Sequence, residues 1–159
     1  RLYLSSENTY FTGGNNLGAK LASSKSKYLL FLNSDVEIKN PNWLNILMVN
    51  KPKKGVISYG KVDIPVIRPD GWCFMVDKKI FEKLNGLNDY YKMNWSITEF
   101  TARVLQAGYS VKSIVNPNDY VYHYGQKSRP KKRKTVFNEM TTSQVMNLFR
   151  GSRVNLLKL

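Results

Sequence analysis

Helix-like and strand-like segments alternate along this chain, which predicts an α/β domain built on a mixed sheet. Two apolar runs, Tyr28–Asn33 and Trp72–Val76, have the length of buried strands. Helix start and stop signals fall between the strand-like segments. The 159 residues make one domain by size, large enough to bury a core without disulfides or a structural metal.

Arg1–Leu4 reads as the end of a strand, and a chain that opens on Arg1 rather than Met is expected to be a fragment or a processed product. Ser5–Asn16 is loop-like, and Asn15 or Asn16 can cap a helix through Leu17–Ser23. The strand at Tyr28–Asn33 follows. Asn40 caps a second helix, with Pro41 at its first position and Trp43, Leu44, Ile46 and Leu47 on its apolar face. Lys51–Gly55 is a basic turn, Val56–Tyr59 a short strand, and Lys61–Gly71 irregular around Pro65 and Pro69. After Trp72–Val76, Asp77 caps a helix to Asn85 that Gly86 stops. Asn88–Trp95 is an aromatic, polar loop. Ser96 and Glu99 fit a capping box for a helix that Gly108 ends. Val111–Val115 and Tyr120–His123 are short strands, and a last helix covers about Glu139–Phe149.

Apolar residues make up 42% and aromatics 13%, a globular composition that argues against disorder. The net charge of +14, from 25 Lys and Arg against 11 Asp and Glu, favours an anionic partner without choosing one. One cysteine excludes an internal disulfide and a cysteine-based zinc site. Cys73 lies in an apolar run and is expected to be a buried, inert thiol. One histidine, His123, excludes a multi-histidine metal site. No apolar run reaches membrane-spanning length and no signal peptide is visible, so a cytoplasmic location is expected. The basic run Arg129–Lys134 could touch an anionic membrane surface or another polyanion, or be a solvated linker.

The first strand ends on Asn33-Ser34-Asp35. In open α/β sheets ligands bind outside the carboxyl ends of strands, and a carboxylate there suits a divalent cation on a phosphorylated ligand. The same three residues also serve as ordinary turn formers.

Four segments, in order, resemble family 2 glycosyltransferases of GT-A fold, closest to the rhamnosyltransferase-like branch. They are Asn8–Ala22 with Tyr28–Asp35, Asp70–Asp89, Trp95–Arg103 with Ala107-Gly108-Tyr109, and Val121–Ser128. The resemblance spans about Asn8 to Ser128. It implies a GT-A core over residues 1–128, lacking the family's first strand–helix unit, and a basic linker and amphipathic helix over 129–159. It also implies inverting transfer of a sugar from a nucleotide-diphosphate donor to a glycan or other hydroxyl acceptor, with Mn2+ or Mg2+ as cofactor. By resemblance Asp35 and His123 hold the metal, and Asn16, Asn33, Asp35, Trp72 and Trp95 belong to the nucleotide-sugar site. The plainer alternative for His123 is an edge-strand histidine among tyrosines, and its place in the matching motif as the sole histidine favours the functional role.

The acidic helix departs from the family. Its leading Glu-Asp pair, which supplies the base, falls here on Ser96-Ile97, and neither side chain can accept the acceptor's proton. Glu99 matches only the third acidic position, and it and Asp89 are the remaining candidates for the catalytic base. Each has a plainer role, Glu99 in the capping box and Asp89 as a loop cap. A degenerate, non-catalytic module of this fold is the first rival reading. A basic nucleic-acid-binding domain is the second, and it lacks a helix-turn-helix, zinc or stacking motif.

Overall fold

The computed structural model describes residues 3–60, 69–93, 95–115, 117–125 and 142–150. Most of the irregular stretch 61–71 and the basic run 129–134, with the domain boundary expected near 128, lie outside them. The elements are α1 (Tyr10–Leu21), β1 (Tyr28–Leu32), β2 (Val36–Ile38), α2 (Trp43–Asn50), β3 (Gly55–Tyr59), β4 (Cys73–Asp77), α3 (Lys78–Lys83), α4 (Ser96–Gln106), β5 (Ser110–Ile114), β6 (Val121–His123) and α5 (Thr142–Leu148).

The main sheet runs β1-β4-β3-β5 and is mixed, as the alternating pattern predicts. β4 is antiparallel to both β1 and β3, while β3 and β5 are parallel. Successive strand residues point to opposite faces, so β4 divides its side chains between two cores. Phe74 and Val76 join Leu29, Phe31, Val56, Ile80, Phe81 and Phe100. Cys73 and Met75 join Leu47, Ile57, Tyr59 and Val121. An aromatic column ties the first core together: Phe31 stacks on Phe74 at 4.5 Å, and Phe81 contacts Phe31 at 5.2 Å and Phe100 at 5.4 Å. Burial pushes the Cys73 thiol up to about 12, so it stays protonated and inert at neutral pH, as expected.

Four local expectations differ from the structure. α1 begins at Tyr10, well before the predicted start, and Asn15 and Asn16 lie inside it rather than capping it. Gly13 is tolerated there because a Cβ would come within 2.9 Å of Thr9 Cβ, and Asn15 donates its amide to the Phe11 carbonyl at 2.8 Å. Ser96 is not a cap. Trp95 takes the cap position in a left-handed conformation (φ 66°) without a side-chain cap bond, and Ser96 Oγ is buried without a partner among the described residues. Third, residues 36–38 form β2, a strand absent from the sequence reading, paired antiparallel with β6. Fourth, α2 begins at Trp43 with Asn42 at its cap position, so neither Asn40 nor Pro41 starts it.

α5 packs back on the domain, Val145 and Phe149 covering Ala102 of α4. Among the described residues no helix is long and apolar enough to cross a membrane.

Because Phe74 is fully buried and stacked, Phe74→Ala should destabilise the fold by about 3–5 kcal/mol. Urea denaturation of the variant, read by circular dichroism, checks this.

Candidate functional site

β1 ends at Leu32, and the chain then turns through Asn33 to Asp35 before entering β2. The Asn33 amide donates to the Trp72 carbonyl at 2.8 Å, extending the β1–β4 ladder by one bond. Trp72 is thereby set at the mouth of β4, beside the end of β1. The β2–β6 ribbon brings in the fourth residue: Val36 pairs with His123, and the Tyr124 amide donates to the Asp35 carbonyl at 3.0 Å. The result is a cluster assembled from three separate places in the chain, the Asn33–Asp35 turn, Trp72 and His123. His123 Nε2 is hydrogen-bonded to Asp35 Oδ1 at 3.2 Å, although 88 residues separate them. Trp72 stacks flat on the His123 ring, with centroids 5.0 Å apart and an interplanar angle of 14°.

Both polar side chains remain reachable, with 25% of His123 and 19% of Asp35 exposed. The donor set is one carboxylate and one imidazole, a mix that Mn2+ accepts and Mg2+ favours less. Among the described residues no group of three or more His, Cys, Asp or Glu side chains converges. A cation held here would therefore complete its shell with ligand oxygens and water, as cations bound by substrate phosphates do. The residues fit such an ion.

The other sequence candidates are placed elsewhere. Asn16 forms a latch: its amide oxygen accepts from the Leu87 N–H at 2.9 Å, and its nitrogen donates to the Leu87 carbonyl at 2.9 Å and to Asp89 Oδ1 at 3.1 Å. Gly86 (φ 66°) leaves room for it, since a Cβ there would sit 2.7 Å from the Asn16 oxygen. Glu99 is buried and held in a two-pronged pair with Arg103, Nε to Oε1 and a terminal nitrogen to Oε2, both at 2.8 Å. Arg103 also donates to the Leu84 and Gly86 carbonyls. Glu99 thus braces the α3–α4 connection, and its carboxylate does not reach back to the start of α4 as a capping box requires. Trp95 packs against the Ala102, Val145 and Phe149 cluster, apart from the cluster that contains Trp72.

Sequence reading missed Arg103 as the partner of Glu99. The i,i+4 spacing was the available signal. Glu99 also acts on Tyr91: burial first, then the Glu99 charge, then Tyr90 raise the Tyr91 hydroxyl above its ordinary range and keep it a hydrogen-bond donor at neutral pH.

No family model matches the chain, and no characterised protein matches it by sequence. Solved structures do. The catalytic domain of Drosophila beta1,4galactosyltransferase 7, in complex with xylobiose, superposes with a TM-score of 0.60 at 19% identity, over 90% of this chain and 60% of that one. A mutant of the same enzyme, with manganese, UDP-Gal and xylobiose, gives 0.59 at 20% identity, over 86% of this chain and 59% of that one. The Pyrobaculum calidifontis mannosyltransferase PcManGT, with GDP-Man and Mn2+, gives 0.59 at 13% identity, over 73% of this chain and 37% of that one. This chain spans about three-fifths of the galactosyltransferase domain and less of the mannosyltransferase. The fold is therefore a mixed α/β fold of GT-A glycosyltransferase type. The likeness does not single out the rhamnosyltransferase-like branch.

If Asn16 positions the loop rather than touching ligand, Asn16→Ala should cost about 1–3 kcal/mol of stability, the penalty for orphaning the buried Leu87 groups. Affinity for manganese and a nucleoside diphosphate should change less than about two-fold. Thermal melts and calorimetric titration read the two effects separately.

Proposed function

We propose that the chain acts in sugar transfer from a nucleotide-diphosphate donor to a hydroxyl of a glycan or similar acceptor, by a metal-dependent, inverting displacement. The observation that supports this most is the convergence of Asp35, His123 and Trp72 at the carboxyl end of β1, on a fold that glycosyltransferases use. In this reading Asp35 and His123 hold Mn2+ or Mg2+, which supplies neutralisation of the charge developing on the departing diphosphate. Asn33 and Trp72 flank the donor. The acceptor oxygen bonds to the anomeric carbon, the bond from that carbon to the diphosphate oxygen breaks, and the acceptor's proton passes to a carboxylate.

For that carboxylate we favour Asp89 over Glu99. Asp89 is exposed, and one of its oxygens is oriented by the Asn16 amide, whereas both Glu99 oxygens are committed to Arg103. Asn16 and Trp95 act as supports of the acceptor-side loop in this account rather than as donor contacts. The donor is a hexosyl-type sugar nucleotide, and the basic run 129–134 offers contact with an anionic membrane face. A second reading, a binding module without turnover, is favoured by one feature: the first two positions of α4 are Ser96 and Ile97, and the one acidic side chain of its first turn, Glu99, is committed to Arg103.

Manganese-dependent binding of UDP- or GDP-sugars, measured by calorimetry, should vanish in Asp35→Ala. Transfer should fall by about 10²–10⁴-fold in Asp89→Asn with donor binding kept. Glu99→Gln should mainly lower stability. Donor binding that ignores both manganese and Asp35 refutes the metal assignment, and binding without transfer in the unmodified chain supports the module.

A further inference from the structure

Away from the Asp35 cluster, the described residues form a cleft of about 380 Å³ between α4, α5 and the loop that carries Tyr91. Its lining is Tyr91, Gln106, Gln144, Asn147 and Leu148. We propose that this cleft is a binding subsite for a neutral pyranose unit of an oligosaccharide, with Tyr91 as the platform and the side-chain amides as hydroxyl readers.

The chemistry of the lining selects the ligand class. A sugar ring presents apolar C–H faces and a rim of hydroxyls, so it asks for an aromatic surface beside side chains that donate and accept together. Tyr91 supplies the aromatic surface, and the second requirement is met by side-chain amides, a group that carries both an oxygen acceptor and an NH2 donor; Gln106 and Gln144 are also held by the protein, and Asn147 lies exposed at the cleft. Among the described residues none that lines the cleft is charged, in a chain of net charge +14. That contrast disfavours a phosphate or uronate here and favours a neutral sugar. The volume suits one or two pyranose rings and lies within the range of small-molecule clefts.

The cleft is held in shape from several sides. The Tyr91 carbonyl accepts the Thr12 hydroxyl at 2.5 Å, and its ring meets Tyr90 edge-on at 5.0 Å. Gln106 donates to the Leu148 carbonyl at 2.6 Å, which ties α5 to α4. Raised by burial and by the Glu99 charge, the Tyr91 hydroxyl keeps its proton at neutral pH and can donate. Tyr91 belongs to the loop that carries Asp89, two residues away. A sugar on Tyr91 would therefore place the remainder of an oligosaccharide along the same loop. Calling this sugar part of the acceptor rests on the glycosyltransferase reading; its binding does not.

The test is saturation-transfer NMR on the full chain with a panel of neutral tetrasaccharides (cello-, malto-, manno-, chito- and xylo-oligomers), with a polyuronate as comparison and no nucleotide or metal present. At least one neutral member should show pyranose protons in contact with an aromatic ring. Its affinity should fall by about ten-fold or more in Tyr91→Ala and in Asn147→Trp, which fills the cleft from an exposed position. Thermal melts verify that Asn147→Trp remains folded. No contact from any neutral member, binding unaltered in a folded Asn147→Trp variant, or preference for the polyuronate each overturns the subsite. If saccharide binding holds but Asp35-dependent donor binding fails, the transfer reaction falls and the subsite stands. The reverse pattern removes the subsite alone.

Discussion

The structure depends on β4 being bonded on both sides. As an antiparallel strand between β1 and β3, it satisfies its backbone polar groups along its length and can bury both faces. Phe74 and Val76 then build one core, and Cys73 and Met75 the other. The antiparallel register has a functional consequence. It sets the beginning of β4 against the end of β1, so Trp72 and Asn33 are neighbours joined by a backbone bond. A parallel β4 would have carried Trp72 to the opposite end of the sheet.

The two-stranded β2–β6 ribbon completes the cluster. It is short, yet it decides where His123 lies, because its register pairs His123 with the residue that follows Asp35. The imidazole is confined between two constraints, the Asp35 carboxylate at one ring nitrogen and the Trp72 indole on its face. A ring so restrained loses little freedom on gaining a ligand, which is what preorganisation contributes to binding. The loop from Leu87 to Trp95 is governed from the other core, through the Asn16 latch and the Glu99–Arg103–Gly86 brace.

Much of this was legible in the sequence where burial and pattern agree. β1 and β4 were apparent as apolar runs, Gly86 and Gly108 as helix stops, and both glycines adopt positive φ as expected. Asp35 and His123 were linked only through family resemblance, since nothing local ties residues so far apart. Other features were hidden because tertiary contacts override local preference. Gly13-Gly14-Asn15-Asn16 reads as a loop by propensity, yet it is helical, with Gly13 against Thr9 and Asn16 bonded to Leu87. The Ser96–Glu99 box failed because Arg103 offers Glu99 two charge-assisted bonds, stronger than one neutral cap. β2 has three residues, too few for a period to declare itself.

The most direct test of the central claim uses the fact that His123 is the only histidine. Its imidazole resonances need no assignment, and Mn2+ broadens nuclei close to it. In the presence of a nucleoside diphosphate, substoichiometric Mn2+ should broaden the His123 ring signals and the Trp72 indole signal beyond detection, while the indole of Trp95, which packs in a separate cluster, is broadened less. His123 signals that stay sharp while the diphosphate binds would contradict a metal–diphosphate site at Asp35 and His123.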